Sequence, residues 1–412
     1  MDIFDEKIIG YESVKASMRK IADVLKNTEK YKEAGALVPH GLLLLSPPGT
    51  GKTTLARALI EACGRKCVEF RKDADSNDFM DELKDAFAKA HEIAPSIILL
   101  EDIHSYSTSP YSSEWATLQA AIDNCGEEVF VVATTNDKRY MPPSLLRAGR
   151  FDYIFKLDLP RGKVADQIIA HYLKGKNLAP DVNIEDIRKA LDSFSCATLE
   201  TALNIAALNS VYDGTNQICK KHLVDAIMQI VYNMRKSDKE YTEEEVRRIA
   251  LHEASHCVVC EVLHPGKTSV VSLLTDGEGT KGMADYYDNG YSTEQDLFDM
   301  VTVSLAGKAG IDLFYGEFDL GPSKDIESAY DLLVNWAVNC GAGGFVSVEF
   351  NNRATSDVSI REHELKISDK MDELYARAKK ILNDNREFVL DLTEKLIEEE
   401  TLFSSDIADL QR

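Results

Sequence analysis

Gly41-Leu42-Leu43-Leu44-Leu45-Ser46-Pro47-Pro48-Gly49-Thr50-Gly51-Lys52-Thr53-Thr54 is the stretch that decides how the first part of this chain folds. Gly41–Leu45 is an apolar run of strand length. A Pro- and Gly-rich turn follows, and the apolar spacing from Thr53 to Ala62 predicts a helix. A strand, a glycine-bearing loop and a helix in that order form a P-loop. Backbone N–H groups around Gly49 and Gly51 can cradle phosphates at the helix N-terminus, where the peptide dipoles favour negative charge. Lys52 is placed to reach terminal phosphates and the Thr53 hydroxyl to hold magnesium. Pro48, Thr50 and Thr54 complete the binding loop. Ser46 stands where the pattern usually has its first glycine.

Downstream, Ile97-Ile98-Leu99-Leu100-Glu101-Asp102 is an apolar strand ending in two carboxylates. Such a pair, the Walker B arrangement, can order magnesium through one carboxylate and the attacking water through the other. Val131-Val132-Ala133-Thr134-Thr135-Asn136 is a further apolar strand with a polar end, and Asn136 can sense a terminal phosphate. Helical patterns over Tyr11–Glu33 and Phe79–His91 and a strand-like Val68–Arg71 alternate with these runs. That alternation predicts an α/β domain with a mostly parallel sheet covered on both faces, over residues 1–158.

Residues 159–236 carry only helical patterns, at Val164–Lys174, Ile184–Leu191, Thr198–Asn209 and Lys221–Tyr232, and are expected to form a small helical lid. Arg235-Lys236-Ser237-Asp238-Lys239-Glu240 reads as a linker or a helix start. The last block, 237–412, is mainly helical, with short β stretches at Ser269–Leu274 and Met283–Tyr287.

Within that block lies Leu251-His252-Glu253-Ala254-Ser255-His256. Histidines four apart share one helix face, so His252 and His256 can bind one zinc. Glu253, beside the first histidine, is placed to act as general base. Ile249, Ala250, Cys257, Val258 and Val262 keep a helical period through the motif and predict a partly buried helix. Catalytic zinc needs a third protein ligand, and the many carboxylates downstream leave that choice open. Cys257 and Cys260 form a C-x-x-C inside the apolar pattern and are read as small core residues. His264, followed by Pro265, is expected to cap the helix end.

Composition narrows the function. With 69 acidic residues against 47 basic ones, the net charge is −22. No nucleic-acid partner is expected, because a phosphate backbone calls for a basic stripe. No apolar run reaches the ~20 residues that span a bilayer, so no membrane segment is expected. The N-terminus lacks a signal pattern, and eight scattered cysteines suit a reducing compartment. A cytoplasmic location is the expectation.

Leu145-Leu146-Arg147-Ala148-Gly149-Arg150-Phe151-Asp152 completes a series that closely resembles the AAA+ ATPases, and the whole chain from Ile8 onward resembles FtsH-type zinc metalloproteases. No counterpart of the family's transmembrane N-terminal region is expected in these residues. The resemblance implies that Arg147 and Arg150 reach the nucleotide of a neighbouring subunit in a homo-oligomer, a hexameric ring in the family. It implies that Asp325, in Gly321-Pro322-Ser323-Lys324-Asp325, is the third zinc ligand. Ile8-Ile9-Gly10 resembles the adenine-contacting stretch, and Thr280-Lys281-Gly282-Met283-Ala284 the strand beside the zinc. The implied activity is ATP-dependent proteolysis of protein substrates, with zinc and magnesium–ATP as cofactors and zinc hydroxide attacking the peptide carbonyl.

Two departures qualify this. Glu101-Asp102 reverses the family's Asp-Glu order, which displaces both carboxylates. A nucleotide-stabilised scaffold beside an active peptidase is therefore one alternative, and a AAA+ chaperone or remodelling factor is another. The second departure is the pore loop. No aromatic–apolar–Gly triplet occurs in Asp73-Ala74-Asp75-Ser76-Asn77-Asp78-Phe79-Met80. Phe79 and Met80 are expected to be the first core positions of the following helix, and substrates to be unfolded or flexible proteins.

Overall fold

The structure is a computed structural model that describes residues 2–72, 78–236, 240–276, 282–286, 293–317, 323–342 and 357–411. The chain divides into two compact units, Met1–Lys176 with Leu191–Ile205 and Asn177–Ala190 with Ala206–Arg412. The helices of residues 159–236 are thus shared between the units. Among the described residues no helix is long and apolar enough to cross a membrane.

The first unit is built on five parallel strands: β1 (Gly41–Leu45), β2 (Lys66–Arg71), β3 (Ser96–Glu101), β4 (Val129–Thr135) and β5 (Tyr153–Lys156), in the order β2-β3-β4-β1-β5. Strand side chains alternate between faces, and the sequence fills both with apolar groups. Leu42, Leu44, Ile97, Leu99, Phe130 and Val132 pack against the helices Glu12–Lys26 and Lys52–Cys63. Leu43, Ile98, Leu100, Val131 and Ala133 face the helices Phe79–Glu92 and Ser113–Asn124. The expected sheet is present, with one strand more than the sequence disclosed. The helix expected over Tyr11–Glu33 is two, Glu12–Lys26 and Thr28–Glu33, interrupted at Asn27.

Phe79 is 5% exposed and stacks edge-on against Tyr106 at 4.8 Å. It is a core position, as expected. Met80 is not: it is 41% exposed, because one step along a helix turns a side chain by about 100° away from the buried face. Residues 73–77 of that stretch lie outside the described residues.

In the second unit the helix Glu243–Leu263 is the axis. Thr242 caps it and forms a reciprocal capping box with Glu245, which fixes where it starts. Its apolar face packs with the helices Ala306–Tyr315, Asp357–Asp384 and Arg386–Glu399 in one core. Three antiparallel strands complete the unit: β6 (Thr268–Ser272) lies between β7 (Met283–Tyr286) and β8 (Thr401–Phe403). Cys257 and Cys260 are buried in this core, and burial pushes the Cys260 thiol up to about 12, so the pair is inert packing. His264 is the C-cap residue, with Nε2 3.2 Å from Asp299 Oδ2.

Candidate functional site

Two constellations emerge, one in each unit. In the second, His252 and His256 stand one turn apart on the helix Glu243–Leu263, with ring centroids 4.8 Å apart. Asp325, in the first turn of the helix Ser323–Val334, meets them. Its Oδ2 is 3.1 Å from His252 Nε2 and 3.4 Å from His256 Nε2, and the two nitrogens are 3.1 Å apart. Among the described residues these three are the one His/Cys/Asp/Glu group whose ligand atoms all lie within 4.8 Å of one another. Three donors about 2.0–2.1 Å from one tetrahedral ion stand roughly 3.3 Å apart, so the donor set fits zinc. Burial opposes the charge on Asp325, but the two imidazoles outweigh it and hold the carboxyl well below the usual range. Gly321 and Pro322 lie outside the described residues, as do Thr280 and Lys281.

The surroundings settle which nitrogens face that point. His256 Nδ1 donates to the Val303 carbonyl at 2.7 Å, which leaves Nε2 as the ring's lone-pair atom. Glu253 is only 8% exposed, and burial raises its carboxyl above the ordinary value, giving it a stronger hold on a proton. All four residues line one cleft of about 540 Å³, whose wall includes Gly282, Met283 and Ala284 at β7.

Two glycines shape this cleft: Gly307, which sequence reasoning passed over, and Gly282, which it placed only in the stretch beside the zinc. A Cβ on Gly307 would meet His252 Cε1 at 2.3 Å and Nε2 of both histidines at 2.5 Å; a Cβ on Gly282 would meet Glu253 Cγ at 2.8 Å. Gly307 and Gly310 sit inside the helix Ala306–Tyr315, where glycine costs about 1 kcal/mol relative to alanine. That cost was the available signal for close approach.

In the first unit the P-loop joins β1 to the helix Lys52–Cys63, and Ser46 N–H binds the Thr135 carbonyl at the end of β4. Gly49 (φ 74°) and Gly51 (φ 94°) take left-handed backbone that other residues adopt only with strain. No side chain caps this helix N-terminus, so its first N–H groups point at the loop cavity. Lys52 Nζ donates to the carbonyls of Ser46 and Pro47 and to Asn136 Oδ1, at 2.9, 3.0 and 2.6 Å. Burial draws its ammonium below the usual value. Ser46 Oγ and Thr50 Oγ1 are hydrogen-bonded. Thr50, Gly51 and Thr54 line a pocket with Ile8, Ile9 and Tyr11. Pro48 is exposed on the loop and Thr53 is half-buried in the first helical turn.

Glu101 ends β3, and its Oε1 is buried with no hydrogen-bond partner among the described residues; Arg57 Nη2 stands 3.9 Å away, too far to donate, and the acceptor suits a cation or its water shell. Asp102 follows with φ 52°, and its carboxylate is 3.2 Å from Arg71. The two arginines behave differently. Arg150 is clamped to Asp123 by two bonds of 2.8 and 2.7 Å and donates to the Ser144 carbonyl, whereas Arg147 is exposed.

Comparison with known proteins agrees with this division. Residues 42–159 match the ATPase family associated with various cellular activities (AAA), and residues 239–410 match peptidase family M41. The chain is 26% identical over 423 residues to "ATP-dependent zinc metalloprotease FtsH 2" of Thermoanaerobacter sp. (strain X514), spanning 98% of this chain and 82% of the relative. It is 29% identical to the FtsH of Halothermothrix orenii (95% and 68% covered) and 28% identical to that of Helicobacter pylori strain ATCC 700392 / 26695 (97% and 69%).

Proposed function

The chain belongs to the FtsH-type AAA+ ATP-dependent zinc metalloproteases, and we propose that in it His252, His256 and Asp325 hold one zinc ion while Glu253 is the general base of peptide-bond cleavage. The observation that carries this assignment is the convergence of the three ligand atoms beside a buried carboxylate in one cleft. Zinc held there supplies Lewis-acid polarisation of the scissile carbonyl and of water. The Val303 carbonyl keeps the His256 ring in the tautomer that offers Nε2. Glu253, buried in the same cleft beside the three ligands, takes the proton from the attacking water and returns it to the departing amine.

In the other unit, Lys52 and the backbone of Pro48–Thr54 are assigned to the phosphates of ATP. Thr53 and Glu101 are assigned to magnesium, which supplies neutralising charge, Asp102 to the attacking water, and Asn136 to the terminal phosphate. Arg147 and Arg150 are assigned to the nucleotide of a neighbouring subunit in a hexameric ring. The working division remains a nucleotide-binding domain (1–158), a lid (159–236) and a peptidase domain (237–412). Protein substrates that are unfolded or flexible, and a cytoplasmic location, complete the reading.

One observation favours a second reading, in which the ATPase turns over slowly and serves as a scaffold: Asp102, the shorter carboxylate of the reversed pair, is engaged by Arg71. Casein cleavage with ATP, with a non-hydrolysable ATP analogue and without nucleotide, beside a zinc-chelated control, tests both. Cleavage that needs zinc and is driven by ATP hydrolysis supports the main reading. Zinc-dependent cleavage indifferent to hydrolysis supports the scaffold, and cleavage indifferent to zinc removes both.

A further inference from the structure

We infer that His104 is a positioning residue for ATP turnover, holding the Asn136 side-chain amide so that its oxygen, and not its nitrogen, faces Lys52 and the phosphate position. The inference rests on the nucleotide-site reading above and goes beyond it by naming a residue that no Walker or sensor motif contains.

An ammonium group has donors and no acceptor. The Asn136 atom 2.6 Å from Lys52 Nζ is therefore the carbonyl oxygen, and that contact fixes the sense of the amide. Its nitrogen is then turned the other way, and it meets His104 Nε2 at 3.2 Å. The Asn136 backbone N–H lies 3.3 Å from Nδ1 of the same ring. A neutral imidazole has one acceptor nitrogen, so the ring accepts from one of these two donors at a time. Only the tautomer with its proton on Nδ1 lets Nε2 accept from the side-chain amide, and the inference rests on that tautomer; the other ties the ring to the backbone N–H alone.

The ring is held there by the chain around it. Asp102 takes left-handed backbone at the end of β3, and its N–H donates to Thr134 Oγ1 at 3.0 Å, which locks the ends of β3 and β4 together. A short 3-10 turn, Ile103–Ser105, follows, with Ile103 fully buried. His104 thus leaves a fixed point between the carboxylate pair and Asn136.

The chemical consequence concerns what Asn136 offers once ATP arrives. An amide whose nitrogen is engaged by His104 presents an oxygen. That oxygen can accept from Lys52 or from the water that attacks the terminal phosphate, which is how Asn136 serves that phosphate. An amide released from His104 can turn over and present its nitrogen to that water instead. Release would preserve or strengthen nucleotide binding while misplacing the groups around the attacking water, and displacements of that kind act on rate.

The test uses the full chain with His104→Phe, which keeps a ring and removes both acceptors, and His104→Gln, whose side-chain oxygen reaches the position of Nε2. Binding of a fluorescent ATP analogue and steady-state hydrolysis are measured for each, with Lys52→Ala as the reference for lost binding. The expected result is affinity within about threefold of wild type for His104→Phe, kcat lower by about tenfold or more, the worth of one buried hydrogen bond, and recovery of most of that loss in His104→Gln. Wild-type kcat in His104→Phe overturns the inference. So does an equal fall in affinity and kcat in both variants, which marks a merely structural role. Unchanged nucleotide binding in Lys52→Ala instead overturns the nucleotide-site reading, and this inference with it.

Discussion

Gly307 lies so close to His252 that a Cβ added to it would stand 2.3 Å from the imidazole Cε1. The helix Ala306–Tyr315 therefore presses its backbone directly against the two histidines, and the His256 ring cannot retreat freely, since it is bonded to the carbonyl of Val303 in the preceding helix Glu294–Ser304. Gly307→Ala is expected to push the rings apart and lower zinc affinity by at least about tenfold, the scale seen when the support of metal ligands is lost. Competition with a chelating dye measures this. Wild-type zinc retention with wild-type cleavage would show that the helix yields instead.

Glu253→Gln separates metal binding from chemistry. Glutamine matches the carboxylate in shape and cannot take a proton at the pH of the reaction, and it removes a buried ionisable group that burial already disfavours. Zinc content should stay at wild-type level, thermal stability should hold or rise, and casein cleavage should fall by about 10² to 10⁴. Substantial residual cleavage in a zinc-loaded Glu253→Gln protein would mean that another group acts as base.

Residues whose chemistry is carried by neighbours in the chain were legible in the sequence. Lys52 sits in a contiguous P-loop, and His252, Glu253 and His256 occupy two turns of one helix, so spacing alone fixes their geometry. Asp325 lies 73 residues beyond His252, and no local rule reaches that far; family resemblance had to choose it. Gly307 and the Val303 carbonyl act through backbone, which side-chain motifs do not record. Among the elements, β5 is four residues long with a largely exposed pattern, and β8 is three residues that pair with β6 some 130 positions earlier. Runs so short carry almost no periodicity, and their pairing is a tertiary event.

Arg150 is held within its own subunit by Asp123, and Arg147 is exposed at the surface. The Arg150–Asp123 pair is partly exposed, so breaking it costs about 1 kcal/mol at most and leaves the arginine available to a neighbour's phosphate. Arg150→Ala should therefore spare ATP binding and lower turnover, by about tenfold or more if it touches the transferring phosphoryl group. Lys52→Ala should lose binding. Mixed assemblies of the two variants should regain part of the lost hydrolysis at interfaces that pair an intact P-loop with an intact Arg150. No rescue in well-mixed assemblies would count against action between subunits.

Phe79 and Met80 are adjacent, and their opposite burial decides how substrate grip must be tested. Phe79 packs against Phe70 and Tyr106 beneath the sheet, with Lys72 Nζ 5.0 Å from its ring centre. Truncating a buried phenylalanine typically costs about 3–5 kcal/mol, so Phe79→Ala should lower stability and depress every activity of the first unit together. Loss of degradation in that variant would say nothing about gripping. Met80, exposed and apolar at the start of the helix Phe79–Glu92, is the side chain that a threaded chain could meet. Met80→Ala should leave the unfolding free energy within about 0.5 kcal/mol of wild type, as exposed substitutions do. If the chain lacks a working grip, Met80→Ala will not change the degradation of a stably folded, tagged protein, which should be slow at saturating ATP while its unfolded form is cleaved readily. Rapid ATP-dependent destruction of the folded form, lost in Met80→Ala without loss of stability, would make Met80 a gripping residue and end the expectation that substrates must already be unfolded.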